Sequence, residues 1–529
     1  MIRSIFLCIT RLAPAFMLAV PLAAGAEWNQ WRGADRNGIC TDSAPLLETL
    51  PEGGLPVLWQ SETIPSDHDG GHGSPVVAGG RVYLGLVWHV SVPSANRVIE
   101  EEHLVSLGYR DTRLLGDKLT RELEQTRKGL PAGLRGEALN ERNRQWVKEH
   151  FNDEQRLILG SWAEWRLGQK SAAVDLEVLN CIHPRVDKPF ASHEEMVQWF
   201  NEIKVGPGVQ EKLIKIIPAT VKEAQDVVLC LDLATGRTLW KVASPGKATG
   251  RMASSTCAVV DGTVYALGST HMHALDAATG TVRWRQALGT SPTGSSPLVA
   301  GGRVIIMAGE VLCLSAADGS VLWRNAKVKG GHSSPVLWQP PGGAAVLVCP
   351  TDGDVAGLDP GTGKEAWKLP GGGPSTPVVS GNRLVLLSDA KDTGLQCFEA
   401  AVESGPPRRV WQHWWLAARY SASPLVWQDH VYLMEGGRHF CVALSDGQAR
   451  WNETVESTIS SPVLADGRIW TLEQNGMFLR AVQADPSSYQ LSGRVKVEAL
   501  WCPTPLIAEG RLILRQKDRL VCLDLRRAK

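Results

Sequence analysis

The sequence predicts an all-β fold, an eight-bladed β-propeller closed by pairing of its N-terminal and C-terminal strands, with an α-helical insertion in blade one. Three observations carry the prediction: a four-strand unit written in full at residues 256–286, Ser/Thr-Pro strand openings that recur, and a Gly followed four residues later by Trp in successive units. In TCAVVDGTVYALGSTHMHALDAATGTVRWRQ (256–286), short apolar and alternating runs are separated by Asp/Gly turns, the pattern of antiparallel strands. One such unit cannot bury both faces of its sheet, so copies must pack around an axis.

The openings are Ser74-Pro75, Ser296-Pro297, Ser334-Pro335, Thr376-Pro377, Ser423-Pro424, Ser461-Pro462 and Thr504-Pro505, with Thr256-Cys257 as a degenerate copy. From 256 onward they lie roughly 38 to 47 residues apart, the usual spacing of blades. Eight openings imply eight blades. The tail, 503–527, has three strands and no fourth, whereas PVLWQ (56–60) reads as a fourth strand without its first three. Pairing the two ends closes the ring and removes exposed strand edges.

The Gly/Trp pairs are Gly236 with Trp240, Gly280 with Trp284, Gly319 with Trp323, Gly363 with Trp367, and Gly447 with Trp451. The Gly permits a positive φ at the turn before the outer strand. The Trp then projects towards the next blade, where burial of about 150 to 250 Å² contributes about 4 to 6 kcal/mol gross. With 20 Trp against 6 Tyr and 8 Phe, the aromatic usage itself points to a repeated Trp position. Cys230, Cys313, Cys397 and Cys522 recur at one place in the unit, where other copies have Ala274 or Gly357. They read as a small-residue packing slot and not as a disulfide framework.

Equal numbers of basic and acidic residues, 55 each, argue against nucleic acid as a partner. Residues 1–26 resemble an export signal, with Arg3 and Arg11 before an apolar stretch and Ala24-Gly25-Ala26 as a cleavage site. No later run is long and apolar enough to span a bilayer. The expectation is a monomeric, exported protein, periplasmic or extracellular, divided into a signal (1–26), a leader with the closing strand and the start of blade one (27–90), an insertion (91–226) and the rest of the propeller (227–529). Within 91–226 the period becomes helical, in DTRLLGDKLTRELEQTRKGL, RGEALNERNRQWVKEHF, NDEQRLILGSWAEWRLGQ, SHEEMVQWFNEI and VQEKLIKIIPATVKEAQD, with Ser192 and Glu195 placed as a capping box. The insertion interrupts blade one between a second strand at 81–86 and a third at 227–233, which predicts that it projects from the funnel face.

Repeats such as ALDAATGTVRW and LDLATGRTLW resemble the tryptophan-docking repeat of the pyrroloquinoline-quinone-type (PQQ-like) propellers, and WNQWRGADRNG resembles the leader of exported members. The resemblance covers the propeller but not the insertion. It implies either of two activities, since the superfamily includes quinoprotein dehydrogenases and a non-enzymatic propeller lipoprotein of the outer-membrane assembly machine. The quinoprotein enzymes hold PQQ with a vicinal disulfide, a Trp floor and a Glu/Asn/Asp set on calcium, beside a catalytic Asp. None of these can be carried onto this sequence, and the lipid-anchor cysteine of the assembly lipoprotein is also missing.

Candidate site residues lie in the loops that lead into first strands. GGHGSP and GGHSSP place His72 and His332 before two of the openings, and other lead-in loops offer Arg251, Arg419 and Tyr420 as ligand or partner contacts. Loops between second and third strands add His271, Asp352, Asp354, Asp389, Glu435 and Glu473. Polar residues are also the ordinary occupants of loops around a wet channel. His271 and His273 share a strand face in the manner of a two-His metal half-site, but no third ligand is identifiable, so no metal is predicted. The expectation is a cofactor-free binding or scaffold protein whose insertion recognises an envelope protein or small ligand, with no catalytic residue assigned; the alternative is a dehydrogenase that binds PQQ and calcium in the funnel.

Overall fold

Short β-branched runs broken by left-handed turns pair with their neighbours in sequence, and they do so along most of this chain. At Asp261-Gly262, for example, both residues have positive φ, and the strands Ala258–Val260 and Thr263–Leu267 form a tight hairpin. The computed structural model describes residues 28–41, 43–64, 71–131, 133–248, 254–289, 294–390, 392–401, 405–416, 422–458 and 460–527. The signal expected at 1–26, with Arg251, Arg419 and Tyr420, lies outside these residues. Two compact units are present, residues 1–90 with 224–529, and residues 91–223.

The first unit is a β-propeller. Among the described residues six of its sheets have four strands, five of them in sequence order and one joining an N-terminal strand to three C-terminal strands, and a seventh sheet has eight. The eight-stranded sheet combines the strands between Leu425 and Thr458 with those between Val463 and Lys496, joined by a Thr458–Glu473 pairing, and adds the short strand Ile39–Cys40 parallel to Val463–Ala465. First strands of neighbouring sheets meet one another and surround the axis. The strand expected at 56–60 is Val57–Gln60, and it pairs antiparallel with Leu520–Asp524 to complete the last sheet.

Each outer-strand indole reaches the following sheet. The Nε1 of Trp59, Trp240, Trp284, Trp323, Trp411 and Trp451 donates to the carbonyls of Leu233, Ala277, Ala316, Pro360, Leu444 and Asp485, over 2.9 to 3.2 Å. The turn glycines have a second role that φ does not reveal. A Cβ on Gly319 would lie 2.5 Å from Trp284, and Gly236, Gly280, Gly363 and Gly447 seat Trp59, Trp240, Trp323 and Trp411 in the same way. The small-residue slot is also explained, because Cys230, Ala274, Cys313, Gly357, Cys397, Cys441 and Cys522 stand directly opposite a docking Trp in register. These cysteines are free and buried. In the strands between Val463 and Lys496, whose outer strand carries no Trp, Gly493 takes the register position opposite Ala481, and Leu50 of the leader packs against it.

The second unit holds α-helices at Glu101–Ser106, Gly116–Gly129, Gly136–His150, Asp153–Gly168, Leu176–Ile182, His193–Glu202 and Pro207–Ile216. The first and fifth were not signalled by apolar period. Buried Leu104, Leu179, Phe190, Phe200 and Leu213 form its main core. At the Ser192 cap, Ser192 Oγ accepts from the Glu195 amide, but the Glu195 carboxylate accepts from Ala191 and not from Ser192 itself, so the expected box is displaced by one residue. The helix expected through 209–226 ends at Ile216, before Pro218, whose ring excludes a continuing helix; the β-branched Thr220 and Val221 then begin the strand Thr220–Asp232. Likewise the strand expected at 81–86 runs on to Pro93. The chain leaves the first unit along one of these neighbouring strands and returns along the other.

The docking geometry predicts a coupled pair. Trp284→Ala should destabilise the protein by about 3–5 kcal/mol through the lost contacts and cavity. Gly319→Ala should cost about 2–4 kcal/mol, from a Cβ at φ +75° driven into the indole. In the double variant, most of the clash part of the Gly319 penalty should vanish; denaturation midpoints of the four proteins check this.

Candidate functional site

The Ser/Thr-Pro openings are more than strand starts. Because Pro has no amide proton, the amide before it is the last donor available as the chain turns towards the axis. The backbone N–H of Ser74 donates to Thr256 Oγ1, Thr256 to Ser296 Oγ, Ser296 to Ser334, Ser334 to Thr376, Thr376 to Ser423 and Ser423 to Ser461, and Thr504 donates back to Ser74, all at 2.9 to 3.2 Å. A belt of hydroxyls therefore surrounds the axis, and those of Ser74, Thr256, Ser296, Ser334, Thr376, Ser423 and Ser461 are each held by the preceding unit, whereas the buried Thr504 Oγ1 has no hydrogen-bond partner.

The leader enters this belt. The carbonyls of Trp28 and Asn29 accept from the amides of Val77 and Val259 in the first strands, and the Trp31 Nε1 donates to Thr376 Oγ1 at 3.3 Å. Arg32 donates to the Pro424 carbonyl at 2.5 Å, and Arg36 to those of Pro297 and Ser296 at 2.8 and 3.3 Å. Both arginines are buried, at 0% and 3% exposure. Burial pushes both guanidiniums down to about 9, and for Arg32 the proximity of Arg36 adds to the effect. They remain cationic at neutral pH. Gly38 then accepts from the Leu464 amide, and Leu46 donates to Asp466 Oδ2. The leader thus bonds to sheet after sheet around the axis.

Beside Trp31 and the belt lies a cavity of about 70 Å³. His72 and His332 both line it, with Ser254, Pro374, Cys502 and the belt residues Ser74, Ser296, Ser334, Thr376 and Ser461. His72 is buried and meets Trp501 edge-on at 5.4 Å, whereas His332 is exposed. Close to His332, the Asp389 carboxyl is pushed up by burial and by Asp352, and His332 pulls it the other way. Burial in apolar surroundings pushes the Cys502 thiol up to about 11.

The remaining sequence candidates separate. Glu473 is buried between Arg480 and Arg494 as an ion-pair centre, and Asp354 pairs with Lys368. His271 hydrogen-bonds Thr270, and its ring lies 5.9 Å from that of His273. The His273 Nε2 faces Asp226 Oδ2 at 3.7 Å, while Asp226 Oδ1 accepts from the amide and hydroxyl of Ser269 at 2.7 and 2.6 Å. Asp226, placed by the sequence at the end of the insertion, is buried in the propeller unit. Burial works against its ionisation, yet His273 and Ser269 hold the carboxyl below its ordinary range.

In the helical unit, a groove of about 610 Å³ is lined by Asp117, Arg121, Glu124, Lys128, Asp175 and neighbours. Burial opposes ionisation of Glu124, but hydrogen bonds from Arg127 and Arg166 bring its carboxyl down to about 2.

Residues 224–370 and 307–528, together more than half of the chain, match the family described as outer membrane protein assembly factor BamB. The chain belongs to this family of PQQ-like repeat propellers. A serine/threonine-protein kinase, AfsK of Streptomyces griseus, is 30% identical over 146 residues, 26% of this chain; the chain spans 18% of that relative's length. Among solved structures, BamB from Moraxella catarrhalis is similar at 18% identity and a TM-score of 0.46, over 57% of this chain and 90% of that one. A quinohemoprotein alcohol dehydrogenase, ADHIIG from Pseudomonas putida, is similar at 14% identity and a TM-score of 0.42, over 58% and 73%.

Within this PQQ-like propeller, the Asp226 pair has a pH signature. A carboxyl lowered by folding contributes stability that is present above its unfolded pKa of about 3.9 and is lost as pH falls through the folded value. Asp226→Asn should therefore be less stable than the parent at neutral pH, with the gap narrowing below about pH 4; urea midpoints across that range test it.

Proposed function

We propose that the protein is an exported, eight-bladed PQQ-like propeller that acts as a non-catalytic binding scaffold, with its helical insertion supplying partner specificity. The blade count is supported by six four-stranded sheets together with an eight-stranded sheet containing two further units, and by eight Ser/Thr positions at the axis. The observation that carries the functional part is the small axial cavity. At about 70 Å³ it is well below the roughly 300 Å³ at which ligand pockets begin, because the protein's own leader occupies the axis.

Pyrroloquinoline quinone with calcium does not fit these residues. The cavity is too small for a tricyclic quinone, and no carboxylate is among its described lining residues to hold a divalent cation. The groove of about 610 Å³ in the insertion, with acidic and basic side chains side by side, has the size and mixed charge of a recognition surface.

Adding PQQ and calcium to the purified protein should produce no quinone absorbance and no reduction of an artificial electron acceptor with alcohols or sugars. Tagged protein should capture an envelope protein, and deletion of residues 91–223 should abolish that capture while leaving the melting transition of the propeller in place. Quinone-dependent turnover, or capture unchanged by the deletion, would overturn the scaffold reading.

A further inference from the structure

Hydrogen-bond inventory at the axis identifies the chemistry that the cavity is built to receive. A hydroxyl has one proton and two lone pairs. Ser74, Ser296, Ser334 and Ser461 each accept a backbone N–H from the preceding unit, and Thr376 Oγ1 accepts two donors, Ser334 N–H and Trp31 Nε1. Thr376, with both lone pairs engaged, has only its proton to offer the cavity, and each of the four serines offers its proton and one remaining lone pair. His72 and His332 add ring nitrogens, which can donate.

Charge points the same way. Arg36 donates to the carbonyl of the lining residue Ser296, and Arg32 follows the lining residue Trp31. Arg32 Nε and Nη1 and Arg36 Nε are buried without a hydrogen-bond partner, so part of each cation is uncompensated. The nearby acids Asp352 and Asp389 do not line the cavity. A neutral apolar guest would leave the converging donors unsatisfied, and a cation would be repelled; an oxyanion accepts from several donors at once and gains from the guanidinium field. Volume limits its size. At about 70 Å³ the space is roughly half of the 150 Å³ that accommodates benzene, enough for a group of a few heavy atoms.

We infer that the axial cavity is a receptor for one small oxyanionic group, a phosphate, sulfate or carboxylate, bound by His332, His72 and the belt hydroxyls in the field of Arg32 and Arg36. The group can arrive as a free inorganic ion or as the terminal carboxylate of a peptide, since both present the same acceptor oxygens. The inference does not rest on the helical insertion or on the scaffold reading.

Calorimetric titration of the purified protein with sodium phosphate, sodium sulfate and sodium acetate, at ionic strength held constant with sodium chloride, tests the free ions. A parallel titration with a short acidic peptide, as the free acid and as the C-terminal amide, tests the peptide source. At least one oxyanion or the free-acid peptide should bind saturably with a stoichiometry of one. His332→Ala, at an exposed position that folding tolerates, should weaken it by about tenfold, and His332→Gln, which retains a donor, should recover part of the loss. Ser334→Ala should weaken it further without a new preference for cations. Saturation by an inorganic ion assigns the free source, and binding of the acid but not the amide assigns the peptide source. No saturable binding in either arm, or equal affinities in the parent and His332→Ala, would overturn the inference.

Discussion

The contact between each outer-strand indole and the next sheet is the constraint on which the ring depends. A four-stranded sheet has two apolar faces and no partner within its own sequence, so its stability comes from neighbours. A buried indole satisfies this with large apolar area, but it brings an N–H that must find an acceptor. The carbonyls of Leu233, Ala277, Ala316, Pro360, Leu444 and Asp485 supply it. Three residue choices then follow from one geometry: a glycine in the receiving sheet to seat the ring, a small residue opposite it, and the Trp itself. Where the set is broken, another part of the chain compensates. Trp367 rests over Gly357 of its own sheet, and Leu50 covers Gly493 where the indole is missing.

The leader and the hydroxyl belt solve a different problem, that of the axis. First strands converge there and leave amides and carbonyls facing a narrow channel. The belt satisfies amides pairwise between units, and Arg32 and Arg36 satisfy carbonyls of Pro424, Pro297 and Ser296. At seven of the eight openings the Ser/Thr hydroxyl is therefore an inter-unit hydrogen-bond acceptor first, and at five of them a cavity lining second.

What could be read from the sequence was what repeats. Strands, turn glycines, docking Trp and the Cys slot each recur, so a single accidental match could not imitate them. That Gly319 seats Trp284, as distinct from relaxing a turn, was hidden because the two residues belong to different units and no local pattern links them. The same holds for Asp226 and His273, brought together by packing of neighbouring sheets. The helices of the insertion show in their period, but period alone carries the last one too far, because charged VKEAQD continues a helical pattern that Pro218 ends. His72 and His332 were found from their place before the openings, and they do line one cavity. Trp31, Arg32 and Arg36 were passed over as site residues since the leader occurs once and is polar, with no period to mark what it touches.

Two buried guanidiniums with no carboxylate paired to them among the described residues are expensive by desolvation, and backbone carbonyls offset only part of that cost. Paired acids would offset it more fully, and their absence from the described lining has a consequence. An acidic partner within the chain would neutralise the axis and leave the belt hydroxyls facing a neutral plug. With carbonyl partners alone, the leader closes the channel sterically while the axis stays positive and rich in donors. Closure of the channel and the chemistry of its cavity are then set by the same residues. A substitution that loosens the leader should disturb both together, whereas one at exposed His332 reaches only the cavity.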